Sequence, residues 1–463
     1  MALHFIILHF GLVIGFFLSA LVVTQVLRQR RSPTATIAWL LVIILIPYFG
    51  VPLYLMLGRR KIRTRPVQNT QLSGCGAGEG EAPVFGPTDR FLQSYGLFPA
   101  TKGNRFRLCS SGEQTYRSLV GLIDQAAQSI NISTFLFHED DVGRDIMERL
   151  VSCAERGVNI RLLVDGVGSF YTSRRFLKRL DLAGGRTAIF QPMIHVPFRG
   201  QSNLRNHRKI MVVDENIVLA GGTNIGREYI GPAPIPGRWR DISFVLEGPA
   251  VGYYSRIFRS DWEYATGEKV EGSALMSGIA NVNEGGDVVQ VVPSGPDVRG
   301  DPLHDAILSA IFSAQMRIWI VTPYFAPDEA MVQALSMAAH RGLQVRLIVP
   351  LKSNHLLADL ARGTALRQIR EAGGEILLYT PGMVHAKALL IDDSLAAVGS
   401  ANLDMRSLFL DHEVMLFNYS SSGIKAVEEW IMALAADTEP YTKKVGALRD
   451  MGEGIVHILA PLL

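Results

Sequence analysis

Cysteine is scarce in this chain. Cys75, Cys109 and Cys153 are the three in 463 residues, an odd number with none of the close pairings of a zinc site, so neither a disulfide framework nor a structural metal is expected. Charge is scarce too: Asp, Glu, Lys and Arg make up 19% against 48% hydrophobics, a balance that leans toward membrane association. Acidic residues are missing altogether from positions 1–66, which hold eight basic ones. The remainder then carries 38 basic against 43 acidic residues. A nucleic-acid-binding body carries a basic excess, so no nucleic-acid partner is expected.

What is present begins with two apolar runs, Leu3–Leu27 and Thr36–Leu57, with Pro47 and Pro52 inside the second. Each is long enough to cross a bilayer core as a helix, and prolines are tolerated in such helices. No basic stretch precedes the first run and no small-residue cleavage site follows it, so a transmembrane hairpin over residues 1–60 is expected rather than a cleaved signal. Arg59, Arg60, Lys61, Arg63 and Arg65 follow the second run, against three arginines between the runs. The positive-inside rule then puts the large domain on the cytoplasmic side. Residues 61–100 read as a basic and then Gly-rich linker, flexible around Ser73–Pro83. Phe91–Pro99 is apolar enough to touch either membrane or body.

The chain then repeats itself. Helix, strand and helix lead to Glu155-Arg-Gly-Val-Asn-Ile-Arg-Leu-Leu-Val-Asp165 in one half and to His340-Arg-Gly-Leu-Gln-Val-Arg-Leu-Ile-Val-Pro350 in the other. A helix, an Arg-Gly turn and a near-continuous apolar strand form the pattern of a buried parallel strand. Each half adds another helix and strand and ends in one motif. His207-Arg-Lys209-(x4)-Asp214, then Gly221-Gly-Thr-Asn224, is echoed 178 positions later by His385-Ala-Lys387-(x4)-Asp392, then Gly399-Ser-Ala-Asn402. Average composition gives about 0.03 chance matches to His-x-Lys-x4-Asp in a chain this long; two with the same continuation are not accidental.

The chemistry suits a phosphodiester. One imidazole can attack phosphorus and become a phosphoryl-histidine. A second can protonate the leaving oxygen. Lys209, Lys387, Asn224 and Asn402 can hold the anionic oxygens. The alternation after each His reads as a short strand with His and Lys on one face. A carboxylate on the far ring nitrogen would fix each tautomer; the acidic residues after each motif, Asp241 and Glu413, are the candidates, paired as His207–Asp241 and His385–Glu413. Asp214 and Asp392 read first as turn formers. Arg199, Arg205 and Arg208 offer positive charge for a headgroup or a solvated surface. Tyr324 is a pocket or core residue, and the remaining histidines have no repeated partner.

These motifs resemble the phospholipase D superfamily over nearly the whole chain. Arg205–Lys209, Gly221–Gly226 and Ser400–Ser407, with the N-terminal hairpin, are similar to the bacterial cardiolipin synthases. The resemblance implies an α/β fold of two pseudo-two-fold related halves, 101–282 and 283–437, forming one catalytic body behind two transmembrane helices, with a tail over 438–463. It implies a catalytic set of His207, Lys209, Asp214, His385, Lys387 and Asp392, the two aspartates acting as structural ion-pair partners. It implies no cofactor and no metal, and a bacterial inner-membrane enzyme that joins two phosphatidylglycerols into cardiolipin and glycerol. Hydrolysis to phosphatidic acid is the alternative on the same site; a nuclease or a non-enzymatic scaffold fits the sequence less well.

Overall fold

The computed structural model describes residues 14–15, 17–20, 22–27, 33–58, 84–192, 203–270, 285–442, 446 and 453. The linker around 73–83, Arg199, Cys75 and the 455–463 segment lie outside them.

The first half contributes strands β1 (Thr101–Cys109), β2 (Ser129–Thr134), β3 (Asn159–Asp165), β4 (Arg186–Phe190), β5 (Ile210–Val213), β6 (Ile217–Gly221) and β7 (Ser243–Glu247). The second contributes β8 (Asp287–Ser294), β9 (Arg317–Val321), β10 (Phe325–Ala326), β11 (Gln344–Pro350), β12 (Glu375–Tyr379), β13 (Ala388–Ile391), β14 (Leu395–Gly399), β15 (Leu403–Asp404), β16 (Glu413–Asn418) and β17 (Thr438–Pro440). Fifteen of these form one sheet in the order β17-β12-β11-β9-β13-β14-β16-β8-β1-β7-β6-β5-β2-β3-β4. Read outward from the antiparallel β1–β8 seam, the two sides follow the same plan: β7, β6, β5, β2, β3, β4 against β16, β14, β13, β9, β11, β12. That is an approximate two-fold axis at the seam, and it sets the two motif strands symmetrically on either side.

Local chemistry explains the repeat. Ser111, Asp140, Ser173 and Asp328 each cap a helix by accepting a backbone N–H three residues on, satisfying donors that the first turn leaves free. Gly157 and Gly342 carry the chain out of their helices at φ of 91° and 85°, a left-handed turn that side chains resist. The chain then enters β3 and β11, each parallel to both its neighbours and buried along most of its length. Cys109 and Cys153 are free, buried thiols within the first half's core.

At the periphery one expectation changes and two open readings close for the described residues. The apolar run 36–57 is two helices, Pro33–Leu45 and Pro47–Leu57. Ile46 leaves helical geometry at φ −134°, because Pro47 crowds the residue before it. Among the described residues no helix is long and apolar enough to cross a membrane. These helices pack on one another through Trp39, Ile43 and Tyr54, and on the preceding helical stretch through Val22 and Val26. Phe91–Pro99 belongs to the body: Leu92, Leu97 and Phe98 are buried, and the Phe98 ring stacks on Tyr253 at 4.3 Å. The tail starts as an edge strand, β17 on β12, and its Glu453 is buried against Arg367 at 2.5 Å.

Candidate active site

The motif strands begin three residues later than their alternation suggests, past the His and the Lys of each motif. β5 starts at Ile210 and β13 at Ala388, so His207, Lys209, His385 and Lys387 lie on extended lead-ins. The reason is a change of partner. The His207 N–H donates to the His412 carbonyl at 2.9 Å, and the His412 N–H donates to the Arg205 carbonyl at 2.8 Å. In mirror fashion the His385 N–H donates to the Arg240 carbonyl at 2.7 Å, and the Arg240 N–H to the Met383 carbonyl at 2.8 Å. Each lead-in therefore docks on the other half's chain.

That docking reverses the expected carboxylate pairs. His412 is followed by Glu413, and Arg240 by Asp241. His207 Nδ1 lies 2.8 Å from Glu413 Oε1, and His385 Nδ1 lies 2.7 Å from Asp241 Oδ2. The pairs are His207–Glu413 and His385–Asp241, crossed between halves. A carboxylate on Nδ1 holds the proton there and turns the Nε2 lone pair outward. The second oxygens are held differently. Glu413 Oε2 accepts the Ser400 hydroxyl; Asp241 Oδ1 accepts the Ile242 N–H at 2.8 Å. Gly222 takes Ser400's place beside Asp241, where a Cβ would come within 2.5 Å of Asp241 Oδ1.

Both imidazoles, Asn224 and Asn402 line one cavity of about 470 Å³. Phe135 meets the His207 ring edge-on at 5.0 Å, and Tyr229 meets His385 at 5.1 Å. Tyr324 lines the same cavity, its hydroxyl on Asn354. The Lys209 ammonium donates to the His207 carbonyl at 2.6 Å, and Lys387 Nζ sits 2.9 Å from His385 Nδ1. One end of each asparagine carboxamide is buried without a partner. In both the orphaned atom is Oδ1, and the other end of a carboxamide is an NH2 donor.

The electrostatics follow from burial. Desolvation, helped by Lys209 and Lys387 and opposed by Glu413, pushes His207 down to about 4. Desolvation and both lysines, opposed by Asp241, push His385 down to about 3. Burial also depresses both lysines, Lys387 to about 8. For Glu413 burial alone would raise the carboxyl, but His207, Lys209 and the Ser400 hydroxyl outweigh it and hold it at about 2. At neutral pH the site thus holds two neutral imidazoles above two ionised carboxylates. An entering phosphodiester anion favours protonation of one imidazole, which supplies the acid that a two-histidine reaction needs.

This arrangement predicts a pH effect on stability. Each folded histidine binds its proton below the unfolded value of 6.5. Stability from this source is full above 6.5 and lost as pH falls toward 4. Asp411, also in the cavity wall, runs the other way, because burial raises its carboxyl to about 7. The test is therefore a difference. A His207→Gln/His385→Gln protein should lose less of its melting temperature than wild type between pH 7 and 4.5; equal losses would contradict the assignment.

Several sequence-picked residues sit elsewhere. Asp214 and Asp392 are turn residues with φ of 50° and 49°. The carboxylate of Asp214 accepts the N–H groups of Ala127, Gln128 and Ser129; that of Asp392 accepts those of Gln315, Met316 and Arg317. They tie each motif strand to the start of its neighbour at the end away from the histidines, through backbone amides rather than ion pairs. Arg205 and Arg208 are fully buried, neither solvated nor in the cavity wall. Arg208 reaches Asp261 at 2.6 Å and Asp297 at 3.2 Å, and its Nε donates to the Glu413 carbonyl at 3.1 Å. Asp261, Asp297 and His412 form the one metal-like cluster among the described residues; Arg208 already supplies the positive charge there. Sequence reasoning missed Ser400, although its place in Gly399-Ser400-x-Asn402 was a usable signal.

Comparison with known proteins agrees with this geometry. The family model described as "Cardiolipin synthase, PLD-like domain" matches residues 119–262 and 307–435. A second, "Phospholipase_D-nuclease N-terminal", matches 17–59. The chain is 32% identical to a cardiolipin synthase of Geobacillus kaustophilus, covering 94% of this chain and 90% of that protein. It is 32% identical to one of Halalkalibacterium halodurans, covering 98% and 95%. Phosphatidylserine synthase of Haemophilus influenzae Rd KW20 has the same fold, with a TM-score of 0.60 at 16% identity over 81% of this chain and all of that one. With the duplicated motif, the shared cavity and full-length relatives all in agreement, the chain belongs to the cardiolipin synthase family of phospholipase D-like proteins.

Proposed function

We propose that the protein is a phosphatidyltransferase that makes cardiolipin and glycerol from two phosphatidylglycerol molecules. The observation that carries this reading is the crossed pair of imidazoles, each oriented by the opposite half's carboxylate, in the wall of one cavity. His207 Nε2 attacks the phosphodiester phosphorus. The bond to the glycerol oxygen breaks, and His385, protonated in the substrate complex, gives that oxygen its proton. The phosphatidyl group is now on His207. A primary hydroxyl of a second phosphatidylglycerol attacks phosphorus, His385 takes its proton, and cardiolipin departs with His207 restored. Lys209, Lys387, Asn224 and Asn402 hold the non-bridging oxygens throughout.

The N-terminal segments form the membrane anchor in this reading. Supporting it are their nearly unbroken apolar character, the matched N-terminal family model, and exposed Ile37, Leu41, Ile44 and Phe49 on the described helices. The arginine bias places the body on the cytoplasmic face. In vesicles of labelled phosphatidylglycerol, the purified protein should release cardiolipin and free glycerol in equal amounts. Phosphatidic acid as the main product would contradict the transfer step.

A further inference from the structure

The segments that follow β3 and β11, loops that each run into the first turn of a helix, stand in corresponding places of the two halves and expose large apolar side chains. After β3, Phe170 is 59% and Tyr171 87% exposed; after β11, Leu356 is 74% exposed. Solitary exposed apolar residues are ordinary, but these recur across the two-fold axis. Both loops are also held firmly. Ser169 Oγ donates to the Phe135 carbonyl at 3.1 Å and accepts the Phe137 N–H at 3.1 Å, and Asp165 Oδ1 accepts the Val167 N–H at 2.8 Å. In the second loop Ser353 N–H donates to Asp359 at 3.0 Å, and Arg362 donates to the Pro350 carbonyl at 2.7 Å.

The second loop runs into the cavity wall, and the first is bonded through Ser169 to Phe135, which lines it. Phe135, under the first loop, faces His207; Asn354, His355 and Leu357, in and beside the second, line the cavity. Exposed cations flank them: Lys352, and Arg174, Arg175 and Lys178 on the helix that follows the first loop. Arg174 and Arg175 occupy that helix's first turn, which has no acidic residue. Cations there oppose the helix dipole and so cost stability unless an external anion answers them. The exposed acid beside the first loop, Glu139, is taken up by the Ser173 hydroxyl at 2.7 Å.

We propose that these two loops form a rim that seats the catalytic body on an anionic lipid surface, with Phe170, Tyr171 and Leu356 in the acyl region and the flanking cations among headgroups. The occupant follows from the substrate reading above, on which this inference rests. A cavity of about 470 Å³ is of headgroup size, so the acyl chains of donor and acceptor must remain outside its mouth. Apolar insertion combined with cationic attraction is how a surface holds to such an interface.

The full-length protein, reconstituted in phosphatidylglycerol vesicles with brominated acyl chains, tests this. In Tyr171→Trp, the fluorescence in excess of wild type should be quenched by the bromines; unquenched emission while the protein still makes cardiolipin would overturn the rim and leave the function standing. Phe170→Ser/Tyr171→Ser/Leu356→Ser should lower transfer on bilayers at least tenfold, yet stay within twofold of wild type on dispersed short-chain phosphatidylglycerol. An equal loss on both substrates would show a folding defect and count against the rim. Quenching without transfer on either substrate would instead defeat the functional reading.

Discussion

His207→Ala lowers cardiolipin formation at least about 10⁴-fold, because the covalent route then has no nucleophile. His385→Ala lowers it about 10²- to 10⁴-fold, the usual contribution of a positioned acid–base group. Both effects concern the chemical step, so binding of phosphatidylglycerol vesicles should be unchanged. The inequality follows from the roles. Loss of the acid can be repaired by an acceptor or leaving group that needs no help, and loss of the nucleophile cannot. Rates measured over the first turnover and in steady state check the order. Activity surviving the double substitution would remove the mechanism.

Glu413→Gln and Asp241→Asn each lower transfer about 10³- to 10⁴-fold, since an amide in place of the carboxylate favours the wrong imidazole tautomer while keeping the shape. The crossed pairing makes the two separable. A phosphatidyl donor whose leaving group is p-nitrophenolate departs without a proton. On that donor the first turnover of Asp241→Asn should recover together with His385→Ala, to within about tenfold of wild type. Glu413→Gln should stay as impaired as His207→Ala. Had each half oriented its own histidine, Glu413→Gln would recover instead. Acidic limbs of the rate profile should move in the same pairs, because Glu413 and Asp241 each hold up one imidazole against burial.

The pairing shows where the sequence stops being informative. Period, turn glycines and motif spacing are local, and they describe most of each half: Gly157 and Gly342 sit where the helix-to-strand turns were expected, and the apolar runs became β3 and β11. Which carboxylate meets which imidazole depends on the β1–β8 seam, which no spacing encodes. The chain alone pairs Asp241 and Glu413 each with the histidine of its own motif, by order along the sequence only; the bridges of Asn206 to His412 and of Arg240 to Val384 reverse it. Arg208 misleads for a related reason. One residue from His207 it reads as a headgroup contact or a solvated surface charge, and it is neither, because the helix Val251–Thr266 folds Asp261 against it. Asp214 and Asp392 were recognisable as turn formers, and their backbone amide acceptance follows from the left-handed geometry they adopt.

The most direct measurement is to find where the phosphatidyl group rests. His385→Ala, mixed with the p-nitrophenyl donor carrying label at phosphorus and quenched under alkaline conditions that preserve phosphohistidine, should yield one labelled peptide, modified at His207. Label on any other residue, or a burst of p-nitrophenol with no covalent label, would contradict two imidazoles from opposite halves sharing one phosphorus.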